Sequence, residues 1–459
     1  MRYVESILDL VGKTPLLKMR RMVEPDMATV YLKLEQLNPG GSVKDRMAVH
    51  MVRCAEAKGL IRPGATLIES TSGNTGLGLA MTAAVLGYRC VFTIPDKMSK
   101  EKIDMLKAYG AEVLVTKTDL PHDHPDSYVE VAKRLARDMP NAFYTDQYFN
   151  MSNPEAHYLT TGPEIWDDTD GQIDCLVGGI GTGGTISGAG KYLKEQADAV
   201  GRTVRVVCPD PIGSMYADAF YHREPRENRV YMVEGIGHDF MVGTLDMSVI
   251  DDIIEVSDRD SFLAARRLVR EEGVFAGGSA GTALFGALQV ARELGPDRIV
   301  VVIIPDSGDR YVSKCFDDAW MKDMGFLGIE DRLGTVRDVL KFKGVHVEYA
   351  AHDETLAHVA HRMAELGISQ MPVTQPDGGP RLMIHEVDLL RTLATGQCHH
   401  DDAVLRAATR MNGQVKPDDP LSRVQEVFDD DNVAVVIDND AVIGIITKID
   451  VVEFLASRT

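Results

Sequence analysis

The chain is short of positive charge, of closely spaced cysteines and of long apolar runs. Its 459 residues carry 49 Lys and Arg against 69 Asp and Glu, a formal net charge of -20. A surface of that sign repels phosphate backbones and acidic bilayers, which argues against a nucleic-acid or membrane partner. Six cysteines, at positions 54, 90, 175, 208, 315 and 398, are scattered without a CxxC spacing. That usage suits a reducing compartment, so a cytoplasmic location and no metal site are expected. The apolar run Ile299–Ile304 stops at Pro305, well short of the roughly 20 residues that a membrane-spanning helix needs. Met1 to Ser6 lead straight into patterned sequence, so no signal peptide is expected.

What is present is an ordinary globular composition, 44% hydrophobic and 26% charged, on a chain too long for one core. Up to about Gly328, β-rich runs alternate with helical patterns. Thr29–Leu34, Thr66–Glu69, Cys90–Ile94, Glu112–Val115, Cys175–Gly179, Arg205–Cys208 and Ile299–Ile304 read as strands. Helices are expected from Ser42 to about Lys58, and over 77–86, 100–109, 187–196, 261–272 and 282–294. Such alternation predicts an α/β fold of layered subdomains with largely parallel sheets.

After Gly328 a pattern of helix, strand, turn, strand, Asp, helix occurs twice. The first copy has Met371–Thr374, a turn at 376–380 and Leu382–Asp388. The second has Ala434–Ile437, a turn at 438–440 and Gly444–Asp450. Two copies suggest a paired pseudo-symmetric α+β module. The expected division is a catalytic region 1–328, a linker 329–334, and motifs at 335–395 and 401–459.

Four places in the first region can carry chemistry. Pro39-Gly40-Gly41 is a turn, with Ser42 as a candidate N-cap, and it delivers Lys44 to the first turn of a helix. The helix terminus and desolvation both disfavour an ammonium there, leaving an amine able to attack a carbonyl. Ser70-Thr71-Ser72-Gly73-Asn74-Thr75-Gly76 joins a strand to a helix and can receive a carboxylate. Gly178-Gly179-Ile180-Gly181-Thr182-Gly183-Gly184-Thr185 is a second such loop, suited to a phosphate. Gly277-Gly278-Ser279-Ala280-Gly281 opens a third helix with a hydroxyl. Together these fit one ligand with an aldehyde, a phosphate and a heteroaromatic nitrogen, which describes pyridoxal 5'-phosphate. Gly179-x-Gly181-x-x-Gly184, with Asp210 after the next strand, also matches a dinucleotide fingerprint, so a nicotinamide dehydrogenase is a competing reading.

PGGSVKDR, TSGNTG, GIGTGGT and GGSAG, in this order, resemble the fold-type II pyridoxal-phosphate enzymes. Within them the chain is similar to the cysteine synthase/cystathionine β-synthase family. Asp146-Gln147-Tyr148, Asn153-Pro154, His157-Tyr158 and Glu234–Phe240 are nearer to the cystathionine β-synthases. The resemblance implies that Lys44 carries the cofactor and acts as general base. It implies that Asn74, Gly181, Thr182, Gly183, Gly184, Thr185 and Ser279 bind the cofactor. Thr71, Ser72, Asn74, Thr75 and Gln147 would hold the substrate carboxylate, with Tyr148 at the pocket mouth. The implied reaction condenses L-serine with L-homocysteine to cystathionine. An O-acetylserine-dependent cysteine synthase is the alternative, and an adenosyl-nucleotide sensor with a silent catalytic part is another. His238 stands where a tyrosine is expected in animal relatives.

The tail resembles a tandem CBS-domain (Bateman) module. That likeness implies an adenosyl ligand, S-adenosylmethionine or an adenine nucleotide, at Thr447 and Asp450 in the second copy and Asp388 in the first. The first copy has His385 at the threonine position. The catalytic pattern begins almost at Met1, so no haem-binding extension and no haem are expected. A homodimer or homotetramer follows from resemblance.

Overall fold

The computed structural model describes all residues except 2, 119, 121–122, 225–229, 328–333, 345–346, 375–379, 430–432, 439–440 and 458–459. The chain forms two compact units, Met1–Phe326 and Leu327–Thr459. The expected linker lies almost wholly outside the described residues, as do the first-copy turn and part of the second.

The first unit contains ten described strands: β1 (Leu16–Lys18), β2 (Thr29–Leu34), β3 (Thr66–Ser70), β4 (Arg89–Pro95), β5 (Glu112–Thr116), β6 (Ala142–Tyr144), β7 (Cys175–Val177), β8 (Arg205–Pro211), β9 (Asp252–Val256) and β10 (Ile299–Ile304). They build two sheets, ordered β1-β2-β10-β7-β8-β9 and β5-β4-β3-β6. All pairs are parallel except the edge pair β1–β2. Central β10 shows why its sequence is apolar throughout. Val300, Val302 and Ile304 enter one hydrophobic cluster, while Val301 and Ile303 enter another. A parallel strand covered by helices on both faces has no solvent side to make polar.

Helix starts differ from the sequence reading in an informative way. The first site helix begins at Lys44 with Val43 as its cap residue, not Ser42. Ser42 instead lies in an extended bridge to Asp306, and its Oγ accepts from Lys44 N–H at 3.3 Å. Asp45 forms no capping box; its Oδ2 accepts from Gly40 N–H at 2.6 Å and holds the turn. The helices Asn74–Leu86, Gly184–Ala199 and Gly278–Leu294 each start several residues earlier than the hydrophobic periodicity indicates. Their first turns are polar or glycine-rich because they face the site rather than the core.

Among the described residues the second unit holds two three-stranded sheets. One pairs Gln370–Thr374 with Pro380–His385 and then Thr409–Arg410. The other pairs Gln414–Val415, Ala434–Asp438 and Ala441–Ile446. The two copies are interleaved. Thr409–Arg410, from the second copy's stretch, completes the first sheet. Val336, Val339 and Leu340, from the first, pack with Leu421, Val436 and Phe454 of the second. Each short repeat lacks enough apolar surface for its own core, so each borrows from its neighbour.

Candidate active site

Two of the four site loops follow the carboxyl end of a parallel strand, where ligand crevices of open α/β sheets lie, and the end of β10 adjoins them. Loop 71–73 follows β3, loop 178–183 follows β7, and Pro305 follows β10. They close on one pocket lined by Lys44, Ser72, Asn74, Gly181, Thr182, Gly183, Thr185 and Ser279, with Gly235 and Ile236 opposite. Four helices begin at this pocket, at Lys44, Asn74, Gly184 and Gly278, so their first N–H groups, which lack intrahelical acceptors, are available to an anion.

The glycines of the middle loop are required by close approach. A Cβ at Gly181 would strike the carbonyl of Gly235, and one at Gly184 would strike Asn153 Oδ1. Gly183 has φ +80°, the left-handed region that glycine tolerates best. Asn153 clamps the loop from behind, donating to Gln147 O at 2.8 Å and Thr182 Oγ1 at 2.9 Å. Behind Thr185 runs a second chain: His157 Nε2 lies 3.1 Å from Thr185 Oγ1, and His157 Nδ1 lies 2.9 Å from Thr161 Oγ1. Burial, with the charges of Arg46 and Lys44 adding to it, holds His157 well below its ordinary pKa, so the ring is neutral.

Lys44 is a half-buried amine at the base of this pocket. Burial pulls its pKa down to about 8, and the charge of Asp306 works in the opposite direction. Asp306 is itself fully buried. Its Oδ2 accepts from Asn74 Nδ2 at 2.7 Å and from the Tyr311 hydroxyl at 2.5 Å. Arg310 completes the group, donating to Asn74 Oδ1 at 2.5 Å and to the Gly40 carbonyl. Ser279 is buried beside the pocket, and its hydroxyl has no hydrogen-bond partner among the described residues.

These residues fit pyridoxal phosphate. An amine of lowered pKa, a glycine cradle at a helix start and an unpartnered hydroxyl border one cavity. Asp210 does not suit the dinucleotide reading. It is buried, its Oδ2 accepts from Ala217 N–H at 3.3 Å, and burial pushes its carboxyl up to about 7.

Four of the residues expected at the substrate, Thr71, Thr75, Gln147 and Tyr148, are buried and hydrogen-bonded within the protein. Thr71 Oγ1 accepts from Gly73 N–H at 2.9 Å and stiffens the loop. Thr75 donates to Gln147 Oε1 at 2.6 Å, and Gln147 Nε2 donates to Ser70 O at 2.6 Å, so these polar groups satisfy one another. Tyr148, expected at the mouth, packs among aromatic side chains. It is buried, its hydroxyl lies 3.1 Å from that of Tyr128, and its ring packs on His238 and Phe240. Glu69 accepts from Gln147 N–H at 3.0 Å and from the Thr145 hydroxyl at 2.5 Å.

Sequence reading did not single out Asp306, Arg310, Tyr311 or Glu69. The available signal was position: polar residues directly at the carboxyl ends of the buried strands β10 and β3. In the second unit, Thr447 and Asp450 form a capping box at the helix Lys448–Ala456. Lys343 pairs with Asp450 at 2.6 Å. Burial works against it, yet Lys343 and Thr447 hold the Asp450 carboxyl below its ordinary range. Asp388 Oδ2 accepts from Thr409 Oγ1 at 3.3 Å.

Comparison with known proteins agrees with this geometry. The family model described as pyridoxal-phosphate dependent enzyme matches residues 7–306, and the CBS-domain model matches 336–395 and 414–457. The chain is similar to several proteins named cystathionine beta-synthase. That of Dictyostelium discoideum is 37% identical over 98% of this chain and 92% of its own length. That of Saccharomyces cerevisiae is 37% identical over 98% of both. The crystal structure of O-ureido-L-serine synthase aligns with TM-score 0.63 and 37% identity, over 70% of this chain and 100% of that one. The O-acetylserine dependent cystathionine beta-synthase of Helicobacter pylori aligns with TM-score 0.63 and 34% identity, over 68% and 99%. The fold and the pocket are those of a fold-type II pyridoxal-phosphate enzyme carrying a CBS-domain pair. The chain belongs to the cystathionine β-synthase family.

Proposed function

We propose that this protein condenses L-serine with L-homocysteine to L-cystathionine and water, a β-replacement of the lyase class. The observation that carries the reading is the convergence of Lys44, the Gly181–Thr185 cradle and the Ser279 hydroxyl on one pocket. Full-length likeness to proteins named cystathionine beta-synthase supports the same reaction.

Lys44 Nζ would carry the cofactor aldehyde, the loop Gly181–Thr185 its phosphate, and Ser279 Oγ its ring nitrogen, with Asn74 beside the ring. When bound, pyridoxal phosphate supplies the electron sink that makes the substrate's Cα–H acidic. A hydroxyl partner at the ring nitrogen leaves that nitrogen neutral, which suits prompt β-elimination. Ser72 borders the pocket at a helix start and binds the substrate carboxylate. Thr71, Asn74, Thr75 and Gln147 join Ser72 in holding that carboxylate. Lys44 Nζ takes the Cα proton as general base, and its ammonium then protonates the departing hydroxide, a poor leaving group otherwise.

Steady-state rates test this. Serine with homocysteine should turn over efficiently, and Lys44→Ala should abolish both turnover and the visible absorption band. Efficient use of O-acetylserine with sulfide alone would move the assignment to the cysteine synthases. The likeness to an O-acetylserine dependent structure makes O-acetylserine the donor to compare. A colourless, inactive protein that still binds an adenosyl ligand would instead identify a sensor.

The second unit binds S-adenosylmethionine or an adenine nucleotide at Thr447 and Asp450, with Asp388 at the corresponding place in the first copy. A rise in melting temperature with either ligand at millimolar concentration supports this; no shift in melting or activity makes the unit purely structural. No helix among the described residues is long and apolar enough to cross a membrane. A cytoplasmic homodimer or homotetramer completes the reading, checked by fractionation and by light scattering.

A further inference from the structure

Away from the pocket, one group of described side chains has the make-up of a metal site. His50 and Cys54 stand four residues apart on the helix Lys44–Ala57, so they project from one face. Glu155 meets them from the helix Ser152–Leu159. His50 Nε2 lies 3.1 Å from Glu155 Oε2, and Cys54 Sγ lies 3.4 Å from His50 Nε2 and 4.0 Å from Glu155 Oε2. Tetrahedral zinc, bonded at about 2.0–2.1 Å to nitrogen and oxygen and about 2.3 Å to sulfur, sets such ligand atoms roughly 3.4–3.6 Å apart. The three observed edges fall within about half an ångström of those values. The largest departure involves Glu155, whose half-exposed side chain is free to turn.

We propose that His50, Cys54 and Glu155 bind one Zn2+ ion, with water in the fourth position. One sulfur, one imidazole and one carboxylate suit zinc and are a poor match for Mg2+ or Ca2+, which prefer all-oxygen shells. Binding forms three protein–metal bonds and releases the Cys54 thiol proton to solvent, with no change of oxidation state. The ion braces two helices that serve the pocket. One starts at Lys44, and the other carries Asn153 and His157 behind the phosphate loop. Cysteine spacing alone gave no sign of the site, because two of the three ligands are not cysteine and one of those, Glu155, comes from another helix.

The other five cysteines are buried and Cys54 is not, which makes alkylation a selective readout. The holoenzyme is freed of metal with a chelator, and ZnCl2 is added at micromolar concentration. Bound metal is counted after gel filtration, and iodoacetamide labelling of Cys54 is followed by peptide mass spectrometry. The expected result is one zinc per chain, roughly tenfold slower labelling of Cys54, and a higher melting temperature. MgCl2 should do none of these. His50→Gln and Cys54→Ser should each lose the bound zinc, and His50→Gln should also lose the protection. Equal labelling rates with and without zinc overturn the proposal, as does zinc binding that His50→Gln leaves unchanged.

Discussion

Asn74 Nδ2 donates to Asp306 Oδ2 at 2.7 Å, joining residues 232 positions apart in sequence. That bond couples the helix facing the cofactor pocket to the end of the central strand β10. The same carboxylate is the charge that raises the Lys44 ammonium against its burial. Asp306 therefore both orients an amide and tunes an amine.

Replacing Asp306 by Asn removes the charge and keeps the shape. Without that charge, Lys44 should lose its proton at lower pH. The rate at which cofactor-free protein captures pyridoxal phosphate, followed by the appearance of visible absorbance, should then rise with a midpoint below that of the wild type, which is expected near 8. An unchanged midpoint would show that Asp306 acts through Asn74 alone.

The neutral His157 ring determines what Thr185 can offer. A phosphate accepts hydrogen bonds, so the Thr185 hydroxyl must donate forward. That requires His157 to present Nε2–H to Thr185 Oγ1 and to accept from Thr161 at Nδ1. His157→Phe should weaken retention of pyridoxal phosphate by roughly tenfold, about one charge-assisted hydrogen bond. It should also shift the cofactor's phosphorus resonance, a signal that general loosening elsewhere would leave in place. Equilibrium dialysis and phosphorus NMR check both.

Glu69 makes stability depend on pH. Burial pushes its carboxyl up to about 8, against the bonds from Thr145 and Gln147. Between the ordinary carboxylate range and 8 the folded chain holds a proton that the unfolded chain has lost. Its contribution to stability is therefore present at low pH and fades as pH rises through that window. Glu69→Gln should lower stability at about pH 5 by removing an acceptor, yet flatten the decline towards about pH 8. Urea midpoints at the two pH values, compared with wild type, measure the slope.

Thr447→Ala should destabilise the second unit by about 1 kcal/mol through loss of its helix cap. Thr447→Ser keeps the cap oxygen and should not. If this threonine also contacts the adenosyl ligand, the ligand-induced rise in melting temperature disappears in the alanine variant and survives in the serine variant. Differential scanning calorimetry separates the two effects.

Much of this protein was legible in sequence because its chemistry sits at local discontinuities. A glycine-rich loop at a helix start is a short-range pattern, and it marked Lys44, Asn74, Gly181–Thr185 and Ser279 as candidates without any coordinates. Central β10 was equally plain, since a parallel strand buried on both faces must be apolar at every position. The rest was not legible for a physical reason. Thr71, Thr75 and Gln147 bond to Gly73, to one another and to Ser70, and such pairings depend on the turn of the backbone rather than on nearness in sequence.

The order of residues thus determined the elements, the division into catalytic and paired regions, and the loops able to grip a phosphorylated aldehyde, all encoded within a few neighbouring positions. Tertiary structure alone decided which polar groups meet across the chain. It put Asp306 and Arg310 on Asn74, His157 behind Thr185, Glu155 beside His50 and Cys54, and strand Thr409–Arg410 in the other repeat's sheet. Those contacts are side-chain to side-chain or strand to strand across long separations, and no local pattern carries them, because burial satisfies a polar atom with whichever partner the fold brings near.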